Sequence, residues 1–256
     1  MISNRQLERW APLIVLLITL IVWQIGVMAF QVPEYIFPSP WEITKQFIEF
    51  GGPLFDAAWK TFWVTMLGFG ISIVVGVMLG FLVGSSRLAY AAFYPLMTAF
   101  NAVPKAAITP ILVVWFGIGL GPGVLTAFLI SFFPITVNIA TGLATLEPEL
   151  EDVLRVLGAH RWDVLVKVGL PRSMPYFFAS LKIAITLAFV GTVLAEMTAG
   201  DSGIGYLMQT AGSQQRMPLA FAGLVTIGAM AMGMYELFSY IEKHTTGWAH
   251  RGSQSH

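Results

Sequence analysis

Six apolar runs, each near the length of helix that crosses a bilayer, leave this chain little choice of fold. About 20 helical residues span roughly 30 Å of hydrocarbon, where only a helix or a closed barrel satisfies its own backbone. The runs are Ala11 to Phe30, Ala58 to Gly84, Leu88 to Phe116, Gly123 to Leu143, Tyr176 to Thr198 and Pro218 to Tyr240. None alternates in the manner of a membrane strand, so the expected class is an all-α membrane protein with six transmembrane helices. Composition agrees. With 56% hydrophobic and 11% charged residues, the 256-residue chain has too little polar surface to coat a soluble globule. We read it as a single transmembrane domain, residues 1–256, with its core bundle at 58–240.

The first run follows Arg5 and Arg9, exceeds the core of a signal peptide and is followed by no small-x-small cleavage site. It reads as an uncleaved span. Pro104 and Pro110 interrupt the third run, which is therefore expected to be broken, and buried in the bundle so that neighbours satisfy the freed backbone groups. Small residues recur every fourth position at Gly68, Ser72, Gly76, Gly80 and Gly84, and again at Gly119, Gly123, Ala127 and Ser131. Such ridges let helix backbones approach closely, and they read as packing seams.

Positive residues stay on the cytoplasmic side of a membrane. An inside N-terminus places Arg5, Arg9, Arg87, Arg155, Arg161, Lys167, Arg172, Lys243 and Arg251 there and leaves only Lys45, Lys60 and Arg216 outside. Both termini are then cytoplasmic. So is the one long polar segment between spans, Glu147 to Pro175. The external stretch from Glu34 to Asp56 has helix-spaced apolar residues at Trp41, Phe47, Ile48 and Phe55, which suit either a helix lying on the outer surface or an amphipathic connector.

Within the polar segment, Leu150, Val153, Leu154 and Leu157 have helical spacing and Gly158 is a helix stop. A second short helix is predicted from Arg161 to Val168, ended before Pro171. Two short amphipathic helices joined at a glycine form a knob that either inserts into a partner's groove or caps its own bundle.

Asp152, Val153 and Leu154, three residues, Gly158, nine residues, then Val168, Gly169, Leu170 and Pro171 resemble the EAA motif of ABC-importer permeases. That motif runs Glu-Ala-Ala, three residues, Gly, nine residues, Ile-x-Leu-Pro, so Val153 and Leu154 stand where the family has alanines. Pro104-Lys105 with Pro110 and WFGIGLG at Trp115 to Gly121, FFPITVN at Phe132 to Asn138, and AEMTAGDSGIGYLM at Ala195 to Met208 are similar to the nitrate/sulfonate/taurine and thiamine-pyrimidine-like branch. The resemblance covers roughly Ala58 to Tyr240. It implies that residues 147–175 form a coupling loop, with Glu151, Asp152, Arg155, Gly158, Ala159, Arg161, Leu170 and Pro171 contacting a cytoplasmic ATPase. It also implies an extracytoplasmic substrate-binding protein, two ATP-binding subunits and a bacterial inner-membrane location.

No lysine is preceded by glycine, so the GxxxxGK[ST] phosphate loop is absent. The chain is not expected to be an enzyme. It needs no cofactor of its own, ATP and magnesium belonging to the partner ATPase, and a second copy making a homodimer is the simplest assembly. With no cysteine there is no thiolate metal site or nucleophile. The histidines at 160, 244, 250 and 256 read as solvated, so no metal site is expected. Inside the spans, Lys105 beside Asn101 and Thr109 reads either as a pathway lining or as a structural lysine on backbone carbonyls. Glu196, read as the one intramembrane acid, either braces the glycine-rich stretch after it or lines the entrance; Lys182 is expected to snorkel. Asn138 is a further pathway candidate. The reading is an importer permease for a sulfonate- or nitrate-like anion or a pyrimidine-like heterocycle. Its alternative is an ion-gradient-driven secondary transporter or channel, which would show internal repeats and midplane carboxylates. A membrane-anchored enzyme would need a catalytic cluster that the sequence lacks.

Overall fold

A computed structural model describes residues 4–144, 156, 158 and 160–246, and all regular structure among them is helical. In chain order the helices are α1 (Asn4–Ala29), α2 (Pro40–Glu49), α3 (Gly51–Gly84), α4 (Arg87–Ala102), α5 (Thr109–Phe116) and α6 (Leu120–Ala144). After residues outside the description come α7 (Arg161–Val164), α8 (Leu170–Ala199), α9 (Ile204–Ser213) and α10 (Met217–Thr245). Five are long and apolar enough to cross a bilayer, and α4 with the segment Lys105–Phe116 makes a sixth crossing bent by 68°. The six expected crossings correspond to these five helices and the bent pair, counted as one broken span. The loop between α6 and α8 defines one end of the bundle, called here the loop end; α2 and α9 lie at the other.

The α3 ridge is the spine of the fold. A Cβ on Gly68 would stand 2.6 Å from the Cβ of Ala127, one on Gly76 2.9 Å from that of Ile135, and one on Gly80 2.8 Å from that of Ile139. The two helices interlock over four turns because every fourth residue of α3 has little or no side chain. Ser72 and Ser131 hydroxyls meet inside this seam at 2.6 Å. Gly119 departs from the expected series: it precedes α6 with φ +130° and no atom near its Cβ position. It serves the turn into α6, and the seam begins at Gly123, which faces Val64.

α8 packs against both α3 and α6, and its Gly191 rests on the backbone of Thr126 and Ala127. Phe69, Ile135, Phe178, Ile185 and Phe189 fill the space between the three helices, and α10 covers it with Ile227, Met234 and Phe238. At the other end, Ile43 of α2, Leu54, Ala211 and Leu219 form a second small core. Ser39 caps α2 by accepting from the Glu42 amide at 3.3 Å, and Pro40 occupies the first turn, where no N–H is missed. α1 stands apart. Its apolar stretch from Trp10 is unburied, and it meets the rest through Trp23, packed between Phe37 and Phe221, and Gln24, whose Oε1 accepts from the Trp41 amide.

Four boundaries move by five or more residues. α1 starts at Asn4, α3 at Gly51 and α8 at Leu170, and α10 ends at Thr245, each beyond its apolar run. Hydropathy marks where lipid lies, whereas the helix continues wherever its backbone bonds do. The predicted helix from Arg161 does not end before Pro171 either. α7 passes through a π turn at Leu165–Gly169 into α8, and Pro171 stands just after that turn.

Candidate functional site

Pro104 creates the first feature of interest. A residue before proline is driven out of the helical region, and Val103 is accordingly extended at φ −66°, ψ 127°. A 3-10 turn at Lys105–Ile108 then leads into α5, whose first turn takes Pro110. The break satisfies itself locally: the Val103 amide donates to the Phe100 carbonyl and the Ala107 amide to that of Pro104. It therefore does not need the burial expected of it, and α4 has no buried residue within its own chain.

Lys105 projects from this elbow. Its Nζ donates to Asn101 Oδ1 at 2.5 Å and to the Asn101 carbonyl at 3.3 Å, and lies 5.6 Å from the centroid of the Phe133 ring. Asn101 itself is exposed, whereas Phe133 and Lys105 are half-buried. The sequence grouped Thr109 with them, but Thr109 turns inward and is 1% exposed. Asn138 donates to the Pro134 carbonyl of its own helix at 2.8 Å. The structure thus brings together Lys105, Asn101 and Phe133 and leaves Thr109 out.

The second feature lies at the end away from the loop. Glu196, 8% exposed near the close of α8, accepts from the Thr61 hydroxyl at 2.9 Å and from the Gly205 amide at 2.9 Å. Thr61 Oγ1 in turn accepts from the Ile204 amide at 2.8 Å. The stretch from Gly200 to Gly205 is folded down on this carboxylate. Gly203 holds φ +93°, and a Cβ there would land on the Glu196 carboxylate. One turn deeper, Thr65 and Thr192 hydroxyls join α3 to α8 at 2.9 Å. Glu196 is engaged by its own chain. Of its two sequence readings, the geometry is that of a brace, with the residue edging only a small cavity beside Lys60 and Ser202. Thr61, its main partner, escaped sequence reasoning because 135 residues separate the two.

Two other charges differ from expectation. Lys182 does not snorkel alone; its Nζ lies 2.6 Å from Glu242 Oε2 on α10. Glu196 is also not the one acid within a span, since α10 carries Glu242 and the exposed Glu236. Glu242 lies past the end assigned to the last apolar run, whereas Glu236 lies inside that run and was overlooked.

Of the coupling-loop residues, Glu151, Asp152, Arg155 and Ala159 lie outside the described residues. Gly158 is described, at φ +86°, the left-handed region that suits a helix-ending glycine. Leu170 is half-buried and Pro171 exposed at the start of α8. On α7, Asp163 pairs with Lys167 at 2.7 Å, and that ammonium holds its carboxyl below the usual carboxylate range. Val164 is 5% exposed and anchors α7 to the bundle.

The sequence pattern of the binding-protein-dependent transport system inner membrane component family matches residues 72–245. The chain belongs to that family. As a permease of the family it is a multi-pass inner-membrane protein and the membrane subunit of an ATP-driven importer. It is 31% identical to the riboflavin transport system permease protein RibX of Chloroflexus aurantiacus, over 95% of this chain and 94% of the relative. It is 28% identical to the formylaminopyrimidine transport permease protein ThiX of Halalkalibacterium halodurans, over 96% and 98% respectively. A solved chain of the MetNI methionine ABC transporter has the same fold, with TM-score 0.65 and 17% identity, covering 82% of this permease and 99% of that chain.

Proposed function

We propose that this permease encloses the importer's pathway together with a second copy, and that Lys105 and Asn101 supply a polar part of its lining. The observation that carries this is the contrast in how the chain treats its charges. Glu196 and Lys182 bond to side chains on other helices, whereas Lys105 at the elbow hydrogen-bonds only to Asn101 one turn away and Glu236 on α10 is exposed. Facing lipid, each would cost about 2.5–3.5 kcal/mol on insertion scales, a cost that a polar pathway between two copies removes. Thr109 and Glu196, buried in their own chain, take no part in this lining.

The termini lie in the cytoplasm, and residues 147–175 form the coupling loop that docks a separate ATPase. ATP and magnesium bind to that partner; this chain takes no cofactor. Two ATP-binding subunits, one beneath each copy, and an extracytoplasmic substrate-binding protein complete the assembly. Support comes from the motif spacing around Gly158 and from family membership. The solute is small. The Lys105 ammonium suits a sulfonate- or nitrate-like anion, and the Phe133 ring beside it suits a flat heterocycle of the pyrimidine kind, the chemistry named for two relatives.

The test is uptake into vesicles holding the reconstituted complex. Lys105→Met is expected to lower uptake about tenfold, equivalent to about 1.4 kcal/mol of lost stabilisation along the path, with ATPase association intact. Unchanged uptake removes Lys105 from the pathway. Gly158→Trp is expected to abolish association with the ATPase, and association that survives it argues against the loop assignment.

A further inference from the structure

One ion pair among the described residues joins two different helices, and neither the family motif nor the pathway accounts for it. Lys182 of α8 and Glu242 of α10 lie 60 residues apart in sequence and meet at 2.6 Å, with side chains 17% and 13% exposed. The other described pairs, Glu42 with Lys45 and Asp163 with Lys167, are local neighbours. We propose that Lys182 and Glu242 form a strut that makes α10 follow α8 when the loop end is moved, so that the two helices travel as one body. This rests on the reading of residues 147–175 as the coupling loop.

Three observations support a mechanical role. First, the path from the loop is continuous: α7, the π turn and α8 follow one another without a gap, with Val164 buried at the base. A displacement delivered at α7 therefore enters α8 lengthwise. Second, both ends of the strut are held. Lys182 Nζ lies 5.8 Å from the centroid of the Tyr235 ring on α10, and its carbonyl accepts from Thr186. The carbonyl of Glu242 accepts from both the amide and the hydroxyl of Thr246 at 2.8 Å, which closes the helix at the pair. Third, the remaining α8–α10 contact is apolar. Ile227, Met234, Phe238 and Ile241 lie against the core containing Leu181 and Phe178. Such a surface resists separation but tolerates small shifts along the helix axis better than a hydrogen bond does. A charge-assisted hydrogen bond holds its register, because it weakens steeply with misalignment. No glycine seam like that of α3 and α6 locks α8 to α10, so the ion pair is the directional contact available.

The chain has no cysteine, so spin labels can be placed singly. Labels at the exposed positions Ile183 on α8, Leu237 on α10 and Val74 on α3 report the three helices in the full complex with its ATPase. A non-hydrolysable ATP analogue with magnesium is the probe. The expected result is that nucleotide shifts Ile183 and Leu237 together against Val74, with the Ile183–Leu237 distance unchanged. In Lys182→Met that distance changes or broadens with nucleotide, and the exchange Lys182→Glu with Glu242→Lys restores it. A distance in Lys182→Met that nucleotide leaves as in the unaltered complex overturns the strut alone. Absence of any shift against Val74 in the unaltered complex overturns the coupling-loop reading and the strut with it. Where Lys182→Met does not assemble, the exchanged pair decides: a constant distance supports the strut and a nucleotide-dependent one overturns it.

Discussion

Glu196 and Lys105 are both charged groups set within membrane-crossing helices, yet their surroundings could hardly differ more. Glu196 has α3 on one side, the Gly200–Gly205 stretch folded over it, and two backbone amides and a hydroxyl tied into its network. Lys105 stands on a self-satisfied elbow, bonds to Asn101, lies over the Phe133 ring, and keeps part of its exposure. The difference separates two uses of charge in a bilayer. A group whose hydrogen bonds all close within the chain contributes to the fold, and a group left half-open is available to something outside it.

Substitutions can break this contrast, and the largest effect is expected at Gly203. Valine there must adopt φ +93° and push into the carboxylate, so Gly203→Val should cost about 3 kcal/mol or more, read as a drop in thermal unfolding temperature in detergent. A neutral result would mean that the stretch is not seated on Glu196. Next comes Glu196→Ala, which strands the Gly205 amide and the Thr61 hydroxyl and should cost about 2–3 kcal/mol in the same assay. Thr61→Val keeps the shape but removes the bridge to Ile204, with an expected cost of about 1–2 kcal/mol. If Thr61→Val and Glu196→Ala cost the same together as Glu196→Ala alone, the two act as one unit; additive costs would separate them. The smallest change in stability belongs to Lys105→Met, within about 0.5 kcal/mol, since its contacts are local and partly exposed. A large destabilisation by that variant would erase the contrast and make Lys105 structural.

The crossings and the proline elbow were legible in the sequence because length, hydropathy and missing N–H groups are local properties. So was the packing ridge of α3, since Gly68, Ser72, Gly76 and Gly80 show their spacing without reference to any partner, although that partner was not named. α9 was not legible: Gly203 and Gly205 look like loop residues, and the helix from Ile204 starts where the Ile204 and Gly205 amides are held by Thr61 and Glu196. Nor was the inward turn of Thr109, which depends on how α5 emerges from a 68° bend. The partnership of Lys182 with Glu242 was hidden because the acid lies past the last apolar residue by which a span is drawn. What the sequence withheld was in each case a contact between distant residues or the direction of a bent segment.

The tight seating of α3 on α6 has a mechanical consequence. Two rods meshed so closely that a single added methyl group would collide have no compliance along their common face. Deformation imposed on such a body is displaced to its softest margin. One such margin is the articulated crossing at Pro104, where α4 meets α6 through Tyr90 with Thr141 and Phe100 with Phe132 but buries none of its residues, and it carries Lys105 at its joint.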